Sequence, residues 1–180
     1  PLVRGVIQRR YQVGDDVVDG DGLRSRVHPA RRNHHLQAFD ELKRAGKIAA
    51  AGASNFTGEQ LAEALELAEL EGLTRYEWVQ NSFSLLEQGD RETVFPVCRE
   101  HGLGYTPFSP LAGGWLTGKY RRGEKPPAGS RMTLRPEPYE GYSSDRVFDA
   151  LETLQADAAA RGVSTAGLAL ACGRADRTSP

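Results

Sequence analysis

The stretch LGYTPFSPLAGG, residues 103–114, contains a short strand pattern followed at once by a turn pattern. Residues 103–108 are predicted to form a β-strand. Residues 109–114 end it, because proline cannot donate a hydrogen bond to a sheet and paired glycines permit tight turns. The sequence therefore predicts a turn on the carboxyl-terminal side of a strand.

A second strand precedes this one, with a helix between the two. Residues 77–83 are predicted to be the strand, and Val94, Val97 and Cys98 mark a helix that ends near Gly102. The apolar positions of the helix have the spacing of one helical face. A strand followed by a helix and another strand is the order that builds a parallel sheet.

An earlier unit follows the same plan. A helix around Leu36 stops at Gly46, and residues 47–53 form a short predicted strand of small residues. In the next helix, Thr57 and Gln60 have the spacing of a capping box. Helix and strand patterns therefore alternate from about residue 37 onward, which predicts an α/β fold with a parallel sheet.

The segment after the turn has a different composition. Residues 121–142 are rich in Gly, Pro and Arg and are too long for an ordinary connection, so they form either a functional loop or a disordered one. We favour a loop over a bound ligand. Two predicted helices follow. One carries Val147, Leu151 and Leu154, and the other is capped near Ser164.

The bulk composition excludes several classes of protein. Hydrophobic residues make up 39% of the 180 residues and charged residues 26%, which is typical of one folded domain. A net charge of −1 without long runs of one sign argues against nucleic acid and membrane partners. Cys98 and Cys172 lack any metal-ligand spacing, so we expect free, buried thiols and no metal. With no membrane span or leader pattern, the prediction is a cytoplasmic protein.

Polar or glycine-rich groups follow all three predicted strands. They are Ser54 and Asn55 after the first, Gln80 and Asn81 within the second, and residues 109–114 after the third. In a parallel barrel the carboxyl ends of the strands form one face, and barrel enzymes bind their ligands there. The sequence therefore predicts a ligand site at this face.

Each candidate residue also has an ordinary structural interpretation. Ser54 could form a helix N-cap, and Gln80 could satisfy backbone groups at a strand end. Phe108 could be a core residue, and Lys119 and Arg131 could be solvated surface charges. The order and combination of the motifs favour the functional interpretation.

The motifs together resemble the aldo-keto reductases. They are GK at 46–47, GASNF at 52–56, WVQ at 78–80 and FSPLAGGWLTGKY at 108–120, and the match covers about residues 38–180. The most similar branch contains bacterial reductases and the potassium-channel beta subunits. The resemblance implies the C-terminal portion of a (β/α)8 TIM barrel, incomplete, with about strands 5 to 7 and their helices.

The resemblance also implies a nicotinamide cofactor, NADPH, with NADH as the alternative. The implied cofactor-binding residues are Ser54, Asn55, Gln80, Phe108, Ser109, Pro110, Leu111, Ala112, Gly113, Lys119 and Arg131. By analogy with the family, Ser54, Asn55 and Gln80 would hold the nicotinamide carboxamide, and Phe108 would stack on the nicotinamide ring.

The turn would then receive the pyrophosphate of the cofactor. In the family pattern, Ser109, Leu111 and Gly113 would line the pyrophosphate. Lys119 and Arg131 would supply positive charge to it or to the ribose. The Gly/Pro/Arg-rich loop would fold over the cofactor.

No set of catalytic residues can be assigned. The family uses a tetrad of Asp, Tyr, Lys and His, and the first three have no counterpart in this sequence. Residues 11–13 resemble the strand before the catalytic His, but Gly14 stands where that His should be. His28 is a weak substitute. We therefore interpret residues 1–36 as an atypical segment, either disordered or frame-disrupted, ahead of a partial barrel at 37–180.

Three functions are consistent with these observations. The first is reduction of aldehydes or ketones to alcohols with NAD(P)H, in a chain that is inactive alone. The second is a non-catalytic nucleotide-binding or regulatory module. The third is a half-barrel scaffold that assembles with a copy of itself or with a separate N-terminal half. Open sheet edges predict self-association of the chain when it is alone.

Overall fold

A computed structural model describes the backbone of residues 29–175 and the side chains of residues 34–173. In this range the main elements are α1 (Pro29–Arg44), β1 (Gly52–Ser54), α2 (Gly58–Leu70), β2 (Trp78–Ser82), α3 (Asp90–His101), β3 (Gly104–Phe108), α4 (Arg131–Leu134), α5 (Asp145–Ala160) and α6 (Thr165–Ala175). Two short 3₁₀ segments, Ala112–Thr117 and Glu137–Tyr142, flank α4. No helix among the described residues is long and apolar enough to cross a bilayer.

The sheet has the order β1-β2-β3, and both pairings are parallel. Ser54 pairs with Gln80, and Ser82 pairs with Phe108. Because α2 connects β1 to β2 and α3 connects β2 to β3, each parallel connection is a helical crossover. The predicted alternation of strands and helices in a parallel sheet is confirmed.

Strand β1 is shorter than the predicted strand at 47–53. Pairing begins at Gly52, opposite Trp78, which is the first residue of β2. Residues 47–51 precede Gly52 and pair with no strand among the described residues. Ile48 and Ala51 are buried in the core instead, so the apolar pattern reflects packing rather than strand pairing.

The predicted start of α2 and the predicted end of α3 are confirmed. Thr57 caps α2: its hydroxyl accepts a hydrogen bond from the Gln60 amide at 3.2 Å, and the Gln60 side chain accepts one from the Thr57 amide at 3.0 Å. Gly102 ends α3 with a φ of 63°, a conformation that favours glycine. The boundary predicted near residue 37 lies within α1. Of the segment predicted to be atypical, residues 1–28, including His28, lie outside the described residues.

The interpretation of residues 121–142 as one loop is partly wrong. Two ordered pieces, α4 and the second 3₁₀ segment, lie inside it. Each spans six residues or fewer, so neither has enough turns to show a helical period in the sequence. The role of this segment over a ligand stays a prediction.

Two hydrophobic cores hold the described residues together. The first lies between the sheet and α1, α2 and α3, and it includes Leu61, Val79 and Val94, each 0% exposed. Full burial of one such side chain contributes roughly 1.5–3 kcal/mol. The second core lies under the first 3₁₀ segment and includes Trp115 and Leu151. The predicted strand–turn segment at 103–114 therefore connects one core to the other.

A buried polar network joins β2 to its neighbours. The Asn81 side chain accepts a hydrogen bond from the Phe56 amide at 3.2 Å and donates one to the Phe56 carbonyl at 2.8 Å. It also donates to the Asp90 carboxylate at 2.9 Å, which accepts a second bond from the Tyr105 hydroxyl at 2.6 Å. Burial, reinforced by the Asp90 hydrogen bond, raises the pKa of Tyr105. The network fixes the chain just after β1 relative to β2 and α3.

The cysteines are free thiols, as predicted. Cys98 is buried, and its burial, followed by the nearby Asp90 charge, raises its pKa to about 11. Cys172 is only half-buried, so the expectation that both thiols are buried holds for Cys98 alone.

Substituting Gly58 with alanine should destabilise the fold. The added Cβ would lie 2.0 Å from the Thr93 carbonyl oxygen of α3, and this backbone atom cannot rotate away. We expect a loss of about 1–3 kcal/mol in the free energy of unfolding, measured by urea denaturation, as for other overpacked sites.

The matched control is Gly173→Ala in α6, where no atom of the described residues lies within 4 Å of the added Cβ. Alanine is the better helix former, so Gly173→Ala should leave stability unchanged or raise it. Equal losses in both variants would show that the contact between α2 and α3 does not explain the result.

Asn81→Asp should give a pH-dependent loss of stability. The new carboxylate would lie beside that of Asp90, and both burial and like charge would raise its pKa in the folded state. The protonated form is therefore tolerated at low pH, and the penalty relative to the original chain grows as the pH rises through the raised pKa. We expect the penalty at pH 8 to exceed that at pH 5 by about 1 kcal/mol or more.

Asn81→Ala is the uncharged control for this experiment. It should lose about 2–4 kcal/mol, because the Phe56 backbone groups are left without their buried partners. This loss should be the same at both pH values. If Asn81→Asp also shows no pH dependence, the inferred proximity to Asp90 is wrong.

Candidate functional site

The carboxyl ends of the three strands meet at one end of the sheet. Val79 and Tyr105 face the helices and are buried in the first core. Because side chains alternate along a strand, Gln80 and Phe108 project from the opposite face. Ser54 lies beside Gln80 in the register and donates its hydroxyl to the Gln80 carbonyl at 2.9 Å. The structure therefore brings Ser54, Gln80 and Phe108 to one face at one end.

The ordinary interpretations of Ser54 and Phe108 fit the structure less well. The N-cap of α2 is Thr57, so Ser54 does not cap that helix. Phe108 is 37% exposed and lies outside both cores. Gln80 is half-buried at the strand end, and its backbone carbonyl accepts bonds from the Ser54 hydroxyl and, at 3.1 Å, from the Asn55 amide.

Backbone strain is concentrated at the same end. Among the described residues, the non-glycine residues with a left-handed φ are Asn55 (60°), Ser109 (53°) and Ala112 (48°). Each such residue costs roughly 1–2 kcal/mol relative to a right-handed conformation. All three follow a strand end directly or lie in the turn after β3. Strain of this kind persists where the surroundings hold it in place, and it clusters at functional sites.

Gly113 and Gly114 have no side chains, so the side chains of other residues can lie against the backbone of the turn. A Cβ on Gly113 would lie 2.7 Å from the Tyr139 ring, and a Cβ on Gly114 would lie 2.4 Å from Cε of Lys119. Both glycines have a positive φ. The Tyr139 hydroxyl also lies 3.3 Å from the Ser109 hydroxyl. A phenol and an ammonium group therefore flank the two glycines.

Tyr120 connects the turn to α4. Its hydroxyl donates to the Gly113 carbonyl at 3.3 Å and accepts a hydrogen bond from the Met132 amide at 3.3 Å. Arg131 precedes Met132 and has an exposed side chain. The first turn of α4, with Arg131, is thus attached to the glycine turn through one hydroxyl.

A second attachment holds the start of the 121–142 segment against α5. Arg122 forms ion pairs with Asp145 (2.5 Å), Asp149 and Glu152 (3.3 Å). Its guanidinium also lies 5.5 Å from the centre of the Phe148 ring. Exposed pairs of this kind each contribute little, but a network fixes the position of the chain.

The predicted cofactor residues are all placed at this end of the sheet or in the segments attached to it. They are Ser54 and Asn55 after β1, Gln80 in β2, Phe108 at the end of β3, Ser109, Pro110, Leu111, Ala112 and Gly113 in the turn, Lys119 after the first 3₁₀ segment and Arg131 in α4. Two cavities of about 230 Å³ each share Tyr120, Arg121, Glu124 and Phe148 in their walls, and none of the predicted cofactor residues lines either cavity.

Sequence reasoning missed two residues of this region. Tyr120 and Tyr139 contact the turn from 7 and 30 positions away in the chain. Tyr120 ends the FSPLAGGWLTGKY motif, but the motif alone assigns it no role. Tyr139 lies in the Gly/Pro/Arg-rich segment, where a tyrosine by itself does not indicate a contact.

Comparison with known proteins identifies the family. The aldo/keto reductase family profile matches residues 26–172. Protein tas of Escherichia coli is 36% identical over 136 residues, which is 76% of this chain and 39% of that protein. An aldo-keto reductase of Pseudocercospora fijiensis is 28% identical over 174 residues, 94% of this chain and 58% of that protein. The chain therefore spans less than two thirds of the length of these relatives.

A solved structure supports the fold. Glycerol dehydrogenase of Gluconobacter oxydans matches with a TM-score of 0.60 over 77% of this chain and 40% of that structure. At 22% identity the likeness concerns the fold alone. The resemblance predicted from the SPLAGG and LTGKY motifs is confirmed: the chain belongs to the aldo/keto reductase family.

Proposed function

We propose that this chain provides the C-terminal part of the cofactor site of an aldo-keto reductase. In this proposal the complete protein reduces an aldehyde or ketone to an alcohol with NADPH, and NADH is the alternative cofactor. The observation that carries the proposal is the convergence of three polar strand ends and a strained glycine turn at one end of a parallel sheet. Barrel enzymes bind their ligands at that end.

The nicotinamide part of the site consists of the strand ends. Ser54, Asn55 and Gln80 offer hydroxyl and amide groups that can hydrogen-bond to a carboxamide. Phe108 presents an exposed ring face, on which an aromatic ring can stack. When bound, the nicotinamide supplies the hydride. The protein groups hold the ring in one orientation and cover one of its faces.

The phosphate part of the site consists of the turn and the two flanking cations. Gly113 has no side chain, which allows its positive φ and lets the Tyr139 ring lie against the backbone of the turn. The Ser109 hydroxyl can donate to a phosphate oxygen. Lys119 lies against the neighbouring glycine, and Arg131 is attached to the turn through α4. Two cations suit the charge of a pyrophosphate.

We further propose that residues 1–180 bind the nucleotide without turning over a carbonyl substrate by themselves. No Asp, Tyr and Lys of the catalytic tetrad can be assigned in this sequence. In the described sheet β1 and β3 are the outer strands, and each leaves one edge unpaired. Such edges favour association, either with the remaining strands of a barrel or with another copy of the chain. A cytoplasmic location is part of the same proposal.

Binding of NADPH can be measured through the fluorescence of Trp115. Trp115 is 3% exposed and lies in the first 3₁₀ segment beside the turn. Trp78 lies at the opposite end of the sheet, so a Trp78→Phe background leaves Trp115 as the reporter. We expect saturable quenching. Lys119→Ala should weaken binding by about tenfold or more, the effect of losing a charged hydrogen-bond donor.

Lys47→Ala is the control, since Lys47 is an exposed lysine that precedes β1 and lies away from the strand ends of the proposed site. It should leave the dissociation constant within about twofold, which corresponds to less than 0.5 kcal/mol. Absence of quenching in a folded sample would refute the cofactor site. If the chain binds NADPH and gains carbonyl reduction when a reductase N-terminal half is added, the half-barrel interpretation is supported. Binding without any gain would favour a nucleotide-binding module.

A further inference from the structure

We propose that Tyr120 is a positioning residue for the phosphate part of the cofactor site. The inference rests on the proposed function, because it concerns how the phosphate-binding groups are held in place. Tyr120 is 4% exposed, so it is out of reach of a nucleotide and acts through other residues. Its contacts reach three groups of the proposed site.

The hydroxyl of Tyr120 links the glycine turn to α4. It donates to the Gly113 carbonyl and accepts from the Met132 amide, so both its donor and one acceptor position are in use. The Met132 amide belongs to the first turn of α4, where amides lack a partner within the helix. This hydroxyl is therefore the hydrogen-bonded link between Gly113 and the backbone that carries Arg131, while the Met132 side chain packs α4 against the second core.

The ring of Tyr120 positions the other cation. Nζ of Lys119 lies 5.1 Å from the ring centre, within the range of a cation–π contact. Trp115 packs against the Tyr120 ring, and the two ring centres lie 4.8 Å apart. Because Trp115 is itself buried, the Tyr120 ring cannot turn away without disturbing the second core. Lys119 is thereby held over the turn.

The ring and the hydroxyl have separable roles. Tyr120→Phe keeps the ring, and with it the contacts to Lys119 and Trp115, but removes the link between Gly113 and Met132. The helix α4 spans only four residues and cannot hold its position by its own hydrogen bonds. Arg131 would then lose its fixed place relative to the turn, and only the part of nucleotide affinity that depends on Arg131 should fall.

The experiment is a double-mutant cycle of Tyr120→Phe and Arg131→Ala, with the dissociation constant of NADPH measured by calorimetry. We expect Tyr120→Phe to weaken binding about fivefold, as for the loss of neutral hydrogen bonds. Arg131→Ala should weaken binding about tenfold in the original chain but about twofold or less in the Tyr120→Phe chain. A general loss of structure would instead give independent effects that multiply.

Tyr142→Phe is the matched control. Tyr142 lies in the second 3₁₀ segment, and its ring centre is 6.2 Å from that of Trp115. Its hydroxyl forms no hydrogen bond with the described residues. It should leave NADPH binding within about twofold. Thermal denaturation of each variant shows whether the fold is retained.

A measurement on the unaltered chain tests the inference without any variant. Hydrogen exchange of the Met132 amide should slow when NADPH is added. The bound nucleotide would contact both the glycine turn and Arg131, which the Tyr120 hydroxyl connects. Multiplying effects in the cycle, or no change in Met132 exchange on binding, would overturn the role of Tyr120 while leaving the cofactor site intact. A chain that binds no NADPH would overturn the proposed function itself.

Discussion

The parallel pairing of β2 with both of its neighbours determines the rest of the structure. Because all three strands run in the same direction, their carboxyl ends lie together, and the connections must cross back as helices. The helices α2 and α3 then cover one face of the sheet. The other face keeps Gln80 and Phe108 accessible. The position of the candidate site is therefore a consequence of strand direction.

Two features hold the turn after β3 in a conformation that is unfavourable by itself. The Leu111 carbonyl accepts hydrogen bonds from the amides of Gly114 and Leu116, at 2.9 and 3.3 Å, which close the turn. The buried side chains of Ala112, Trp115 and Leu116 anchor it to the second core. Burial of these side chains offsets the left-handed φ of Ser109 and Ala112. The same packing leaves the glycine backbone accessible to side chains and, in the proposed function, to phosphate.

Much of the fold could be predicted because its signals are local. The capping box of Thr57, the glycine that ends α3 and the Pro/Gly turn after Phe108 each depend on residues within a few positions of one another. The start of β1 could not be predicted, since it depends on where β2 begins, at Trp78. The short helix α4 could not be predicted either, because its stability comes from contacts with the first 3₁₀ segment.

The sequence by itself determined the family, the order of the three strands and of the longer helices, and the set of candidate cofactor residues, because motifs and turn signals depend on neighbouring positions. Only the tertiary structure decided which side chains hold that set in place. Asn81 reaches Phe56 across 25 positions, and Tyr139 reaches Ser109 across 30. Which residues make such contacts depends on how the cores pack and on the path of the whole chain, so these contacts leave no local pattern.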